Sequence, residues 1–104
     1  FRSLREGKLL ANHDTSTVAD GLRASLSERT FGIIRQHVRG IVTVSEDQII
    51  ATMRLVWERM KLVVEPSGVV SLAAVLAAPE KFRGRRVGVI LTGGNVDLDR
   101  LPWQ

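Results

Sequence analysis

Val87-Gly88-Val89-Ile90-Leu91 runs directly into Thr92-Gly93-Gly94-Asn95 near the end of the chain. A row of small and branched apolar residues, with no polar alternation, suits a strand covered on both faces, as in a parallel sheet. The predicted class is therefore α/β. In open α/β sheets, ligands sit outside the carboxyl ends of the strands. Glycines at such a tip let backbone approach a ligand closely, and Thr92 and Asn95 offer side-chain hydrogen bonds. A glycine turn that merely reverses the chain fits the same residues, so the local pattern leaves both readings open.

The 104 residues fall within the range of one small domain, with 44% hydrophobic residues to build a core. Net charge is +4, and the basic residues are scattered except for Arg83, Arg85 and Arg86. Those three flank the expected strand start, which suits a solvated edge better than a nucleic-acid groove. With no cysteine, disulfides and thiolate chemistry are excluded. His13 and His37 show no ligand spacing. No apolar run approaches the roughly twenty residues of a membrane span, and no signal peptide opens the chain. The expectation is a soluble cytoplasmic protein that binds neither nucleic acid nor membrane.

Phe1-Arg2-Ser3-Leu4-Arg5-Glu6 reads as the end of a helix capped by Gly7. A chain that opens inside an element, without an initiator methionine, is expected to be part of something longer. Residues 7–27 are poor in periodic hydrophobics and read as a long loop. Within it, Thr17-Val18-Ala19-Asp20-Gly21 is either an Asp-Gly turn or a place where Gly21 sets its backbone against a ligand. Glu28 to Val38 reads as a helix with Phe31, Ile34 and Val38 on one face and Ser27 as N-cap, Thr30 standing in for a stronger Glu. His37 near its end reads as a surface residue favoured by the helix dipole.

Gly40 to Val44 is predicted to be a short β-branched strand. Ser45-Glu46-Asp47-Gln48 then fits a capping box, with Val44 and Ile49 as hydrophobic staple. The helix it starts is expected to run from Glu46 to about Val63, with Ile49, Met53, Val56, Met60 and Val63 as its core stripe. Glu58 and Arg59 read as a solvated face, while Trp57 lies off the stripe and faces a neighbouring element or a partner. Glu65-Pro66-Ser67-Gly68 separates this helix from the next, since Pro66 suits a first turn. Val69 to Ala78 is small and apolar nearly all round, so that helix is expected to be buried or packed against a sheet. Glu65, between apolar runs, must be hydrogen-bonded, paired or protonated if buried. The order strand, helix, helix, strand implies a right-handed crossover between parallel strands, with the rest of the sheet supplied from elsewhere.

Three motifs occur together: Thr17-Val18-Ala19-Asp20-Gly21; then Trp57-Glu58-Arg59-Met60-Lys61 leading to Glu65-Pro66-Ser67-Gly68; then Leu91-Thr92-Gly93-Gly94-Asn95-Val96-Asp97-Leu98. In this order they resemble the C-terminal part of the serine racemase and threonine (serine) dehydratase family of fold-type II pyridoxal-phosphate enzymes. Ile41-Val42-Thr43-Val44-Ser45-Glu46 also fits that family, and the likeness covers essentially the whole chain. The resemblance implies a piece of the large domain of a fold-type II (tryptophan synthase beta-like) fold, a parallel sheet with flanking helices, incomplete on its own. Residues 1–27 would be a loop-rich lead-in and residues 28–104 a helix-strand-helix-helix-strand unit.

By the resemblance, the Thr92 hydroxyl stands where serine racemase has a serine that bonds the pyridine nitrogen of pyridoxal 5'-phosphate. A neutral hydroxyl partner does not stabilise a protonated ring, which suits β-elimination. Gly21 matches a residue whose backbone lines the cofactor face, Glu65 a cofactor-side carboxylate, and Gly93 belongs to the same cofactor-binding tip. Lys61 and Asn95 match positions that help bind ATP at a dimer interface in animal serine racemases. Ala24 replaces a serine near the substrate carboxylate, with Ser25 following it, which leaves racemase and dehydratase both open.

The resemblance also places the Schiff-base lysine in the N-terminal half, and Lys8, Lys61 and Lys81 do not match it. Carboxylates for Mg2+ or another divalent cation would lie just before Phe1. No catalytic residue and no metal ligand is therefore assigned here. Activity would need the N-terminal segment of the same enzyme, as a homodimer. The implied function is serine or threonine dehydration to a 2-oxo acid and ammonia, serine racemisation, or both. The alternatives are a 3-hydroxyaspartate dehydratase of the same family and a non-catalytic dimerisation or nucleotide-binding remnant.

Overall fold

The computed structural model describes residues 1–104 and contains five α-helices and one 3-10 turn. Helix α1 spans Arg2–Glu6, α2 Glu28–His37, α3 Glu46–Met60, α4 Pro66–Ala77 and α5 Pro79–Phe82; the 3-10 turn is Asp20–Leu22. Their boundaries follow from local chemistry. Gly7 ends α1 in the left-handed region at φ 71°. Ser27 and Ser45 each accept the N–H three residues on, and Thr30 and Gln48 side chains return the bond, so both capping boxes close. Thr30 completes its box through its hydroxyl, at 3.0 Å from the Ser27 N–H.

Helix α3 stops at Met60, before the expected Val63, because Lys61 turns into the left-handed region at φ 58°. The Lys61 ammonium donates to the Glu58 carbonyl oxygen at 2.8 Å, satisfying an end group of the helix. Ile49, Met53 and Val56 are buried as the stripe predicts, while Met60 and Val63 are exposed beyond the helix packing. Glu58 is exposed and pairs with Arg54 at 2.8 Å, which holds its carboxyl below its ordinary value. Trp57 faces Trp103 edge-on, ring centres 5.4 Å apart, and donates its indole N–H to the Val64 carbonyl oxygen at 3.0 Å.

The core is small and lies where α4 packs on α3. Ala19, Ile49, Met53, Val56, Val64 and Val69 form its centre, with Val18, Val44, Leu72, Leu91, Val96 and the two tryptophans around them. Full burial of a side chain such as Met53 or Val56 contributes about 1.5–3 kcal/mol each. Helix α4 buries one face only, through Gly68, Val69 and Ala73, and leaves Leu76 half exposed. Within this chain α3, α5, the 3-10 turn and residues 90–92 pack on α4, and the sheet expected beside it does not form.

The strands expected at Gly40–Val44 and Val87–Leu91 do not form, and the chain holds no sheet. A strand exists only with a ladder partner. No backbone hydrogen bond joins these two segments, and Val87–Leu91 is met by the Ser71 hydroxyl of α4 at the Ile90 carbonyl oxygen. Ile90 accordingly stands 77% exposed. No helix is long and apolar enough to cross a membrane.

Candidate functional site

The start of α4 gathers the residues singled out from the three motifs. Pro66 occupies the first helical position, where a missing N–H costs nothing. Glu65 before it is extended and makes no side-chain bond to its own helix. Its carboxylate instead accepts the Asn95 N–H on Oε2 at 2.9 Å, and its backbone N–H donates to the Gly93 carbonyl oxygen at 3.3 Å. Of the readings left open for Glu65, the structure shows a half-buried carboxylate hydrogen-bonded to a backbone amide.

Residues 90–95 are held along residues 63–71 by further contacts. The Ser71 hydroxyl donates to the Ile90 carbonyl oxygen at 2.9 Å, and the Thr92 N–H to the Gly68 carbonyl oxygen at 3.3 Å. Gly93 sits at φ 66°, and a Cβ there would collide with the Glu65 carboxylate. Both the conformation and the space demand glycine. Thr92 itself is exposed, and its hydroxyl makes no hydrogen bond within the chain.

Gly21 reaches the same place from the other side. Its N–H donates to the Ser67 hydroxyl at 3.0 Å and to Asp20 Oδ1 at 2.8 Å. Ser67 and Gly68, neighbours in sequence, thus hold Gly21 and Thr92 respectively. Ahead of Gly21, the Val18 N–H donates to Glu46 Oε2 at 2.7 Å. That bond, then the Thr17 hydroxyl and more weakly the Arg23 guanidinium, hold the Glu46 carboxyl below its ordinary value. The roles of Ser67 and Glu46 were not legible beforehand. Ser67 belongs to the Glu65–Gly68 helix start and Glu46 to the Ser45–Gln48 capping box, and their partners lie 46 and 28 residues away in sequence.

Of the remaining candidates, Asn95 meets the start of α4 through its backbone N–H, while Ser25 and Lys61 make no hydrogen bond to it. Ser25 shares with Gly21 and Ala24 a cleft of about 520 Å³ that also touches Ser3 and Leu10. Lys61 lines a different cleft with Arg54, Trp57 and Trp103, and Asn95 another with Val18, Arg23 and Arg100. The structure does not bring Lys61 and Asn95 into one pocket. No three His, Asp or Glu side chains converge in a metal-holding group.

Gly21, Glu65, Thr92 and Gly93 thus gather at one helix start. Residues 1–93 match the family model described as pyridoxal-phosphate dependent enzyme. This chain belongs to that family. It is 48% identical over 103 residues to a beta-hydroxyaspartate dehydratase of Paracoccus denitrificans (strain Pd 1222), covering 99% of this chain and 33% of the relative. It is 41% identical over 105 residues to a serine racemase of Dictyostelium discoideum, covering 97% and 32%. The solved structure of maize serine racemase superimposes with a TM-score of 0.87 at 37% identity, over 94% of this chain and 32% of that one. The chain spans about a third of the length of the relatives it matches.

Proposed function

We propose that this chain is the segment of a pyridoxal-phosphate enzyme that closes the ring-nitrogen side of the cofactor site. The supporting observation is the convergence of Gly21, Glu65, Thr92 and Gly93 on the start of α4 from three separate stretches. When bound, pyridoxal phosphate supplies an electron sink for the α-carbon of an amino acid. The residues fit this group. Thr92 offers an exposed hydroxyl without a partner in the chain, and it would donate its proton to the ring nitrogen. Gly21 would present backbone to the ring face, and Glu65, which accepts the Asn95 N–H, would keep the Gly93–Asn95 backbone in place. Ser25, in the cleft it shares with Gly21, would lie on the substrate side.

The lysine that carries the cofactor, any Mg2+ or other divalent cation, and the rest of a parallel sheet would come from an N-terminal segment. The half-exposed Val87 and the bare Ile90 give such a sheet an apolar surface to pack on. In a homodimer, a nucleotide such as ATP would need Lys61 and Asn95 to meet through another subunit, since they line separate clefts here.

The substrate is a small amino acid with a β-hydroxyl. A neutral hydroxyl at the ring nitrogen favours expulsion of that β-hydroxyl, giving a 2-oxo acid and ammonia, with serine racemisation as the companion reaction. Identity of 48% to a beta-hydroxyaspartate dehydratase favours 3-hydroxyaspartate as a second substrate reading. The test is the full-length protein incubated with serine, threonine and 3-hydroxyaspartate. Release of pyruvate, 2-oxobutyrate or oxaloacetate, with visible absorbance from bound cofactor, is expected. A full-length protein that binds no pyridoxal phosphate and releases no 2-oxo acid would overturn the proposal.

A further inference from the structure

Two helix starts grip the Thr17–Gly21 loop on either side of a buried pivot. Glu46, the first residue of α3, takes the Val18 N–H at 2.7 Å. Ser67, the second residue of α4, accepts the Gly21 N–H at 3.0 Å and shares it with Asp20 Oδ1 of the loop itself at 2.8 Å. Between them Ala19 has no exposed surface and sits in the core beside Ile49 and Met53. The Arg23 guanidinium closes the turn from behind by donating to the Thr17 carbonyl oxygen at 2.7 Å.

Each bond removes a different freedom. With Ala19 fixed, the loop can still rock about it, carrying Val18 one way and Gly21 the other. The Glu46 bond stops the rocking on the Val18 side and the Ser67 bond on the Gly21 side. A Cβ on residue 21 would sit 3.0 Å from the Ser67 hydroxyl oxygen, so glycine lets the residue 21 backbone meet the Ser67 side chain closely. Glu46 is charged at neutral pH, and a charge-assisted bond is roughly twice as strong as a neutral one. Its partner is a loop amide 28 residues earlier in the chain, so the bond does more than complete the start of α3.

We infer that Glu46 and Ser67 are positioning residues that together set where the Gly21 backbone meets the cofactor, without touching the cofactor themselves. This rests on the reading that Gly21 faces the cofactor.

The test uses the full-length enzyme as wild type, Glu46→Ala, Glu46→Gln and Ser67→Ala. Amide hydrogen exchange at Val18 and Gly21 is followed in the cofactor-free protein, and Kd for pyridoxal phosphate is then measured by titration. In Glu46→Ala, exchange at Val18 should quicken, and in Ser67→Ala, exchange at Gly21. Loss of one such bond should raise Kd on the order of three- to tenfold in either variant. Glu46→Gln keeps a neutral oxygen that accepts the Val18 N–H and should recover part of both losses. Faster exchange with an unchanged Kd would overturn the inference, leaving a purely structural clamp and a cofactor site still standing. Unchanged exchange, or a Gln variant no better than Ala, would overturn it as well. Failure of the underlying reading shows separately, as a wild-type enzyme that binds no cofactor.

Discussion

The backbone of Gly68 lies directly against the backbone of Thr92: the Thr92 N–H donates to the Gly68 carbonyl oxygen at 3.3 Å, and a Cβ on residue 68 would run into the Thr92 carbonyl oxygen. The last apolar segment can approach α4 this closely only because position 68 carries no side chain. Replacing Gly68 with Ala meets backbone rather than a movable side-chain tip. The expected loss is about 2–3 kcal/mol, at the upper end of ordinary overpacking. Denaturant unfolding of the full-length protein measures it, and a change below about half a kcal/mol would mean the two backbones are not in contact.

Gly93 and Glu65 make a coupled pair. Gly93→Ala should destabilise twice over, through its left-handed φ of 66° and through collision with the Glu65 carboxylate. Shortening Glu65 to Ala removes the second cause and leaves the first. The double variant should therefore be more stable than the sum of the single losses by roughly 1 kcal/mol, within the range for contacting residues. Strict additivity in a double-mutant cycle would show that the carboxylate does not fill the space above Gly93.

Thr92→Val separates stability from cofactor binding. The hydroxyl is exposed and makes no hydrogen bond within the chain, so the cofactor-free protein should keep its stability within about 0.5 kcal/mol. Affinity for pyridoxal phosphate should fall by about 0.5–1.5 kcal/mol, the ordinary worth of one hydrogen bond. Calorimetry of the cofactor-free protein and titration with cofactor give the two numbers. Unaltered affinity would place the ring nitrogen elsewhere.

Acid should loosen the Thr17–Gly21 loop. The Glu46 carboxyl is held below its ordinary value chiefly by the Val18 N–H. A group whose folded value is depressed contributes its full stabilisation above the unfolded value and loses it as pH falls through the folded one. Wild type should thus exceed Glu46→Gln in stability at neutral pH, with the gap narrowing as pH drops below the ordinary carboxylate range. Paired unfolding curves from neutral pH down through that range check the sign. A gap that widens in acid would contradict the Val18 contact.

Helix starts and stops were legible because their causes lie within about four residues. The Ser27 and Ser45 boxes, the Gly7 cap and Pro66 at the head of α4 all appear as read. Helix α3 ends three residues before the apolar pattern does, since Leu62 and Val63 continue the pattern after Lys61 has left the helix. The short α5 after Pro79 gave no periodic signal at all in four residues.

The sequence by itself determined the capped helices, the stripe of Ile49, Met53 and Val56, and the ordered motifs that place the chain among the pyridoxal-phosphate enzymes. Only the tertiary structure decided that Glu46 and Ser67 hold Val18 and Gly21, and that Glu65 holds Asn95. It also decided that Val87–Leu91 lies unpaired. The physical reason is distance along the chain. A cap needs only its own turn, whereas a ladder or a cross-loop hydrogen bond needs a partner that folding must first bring near.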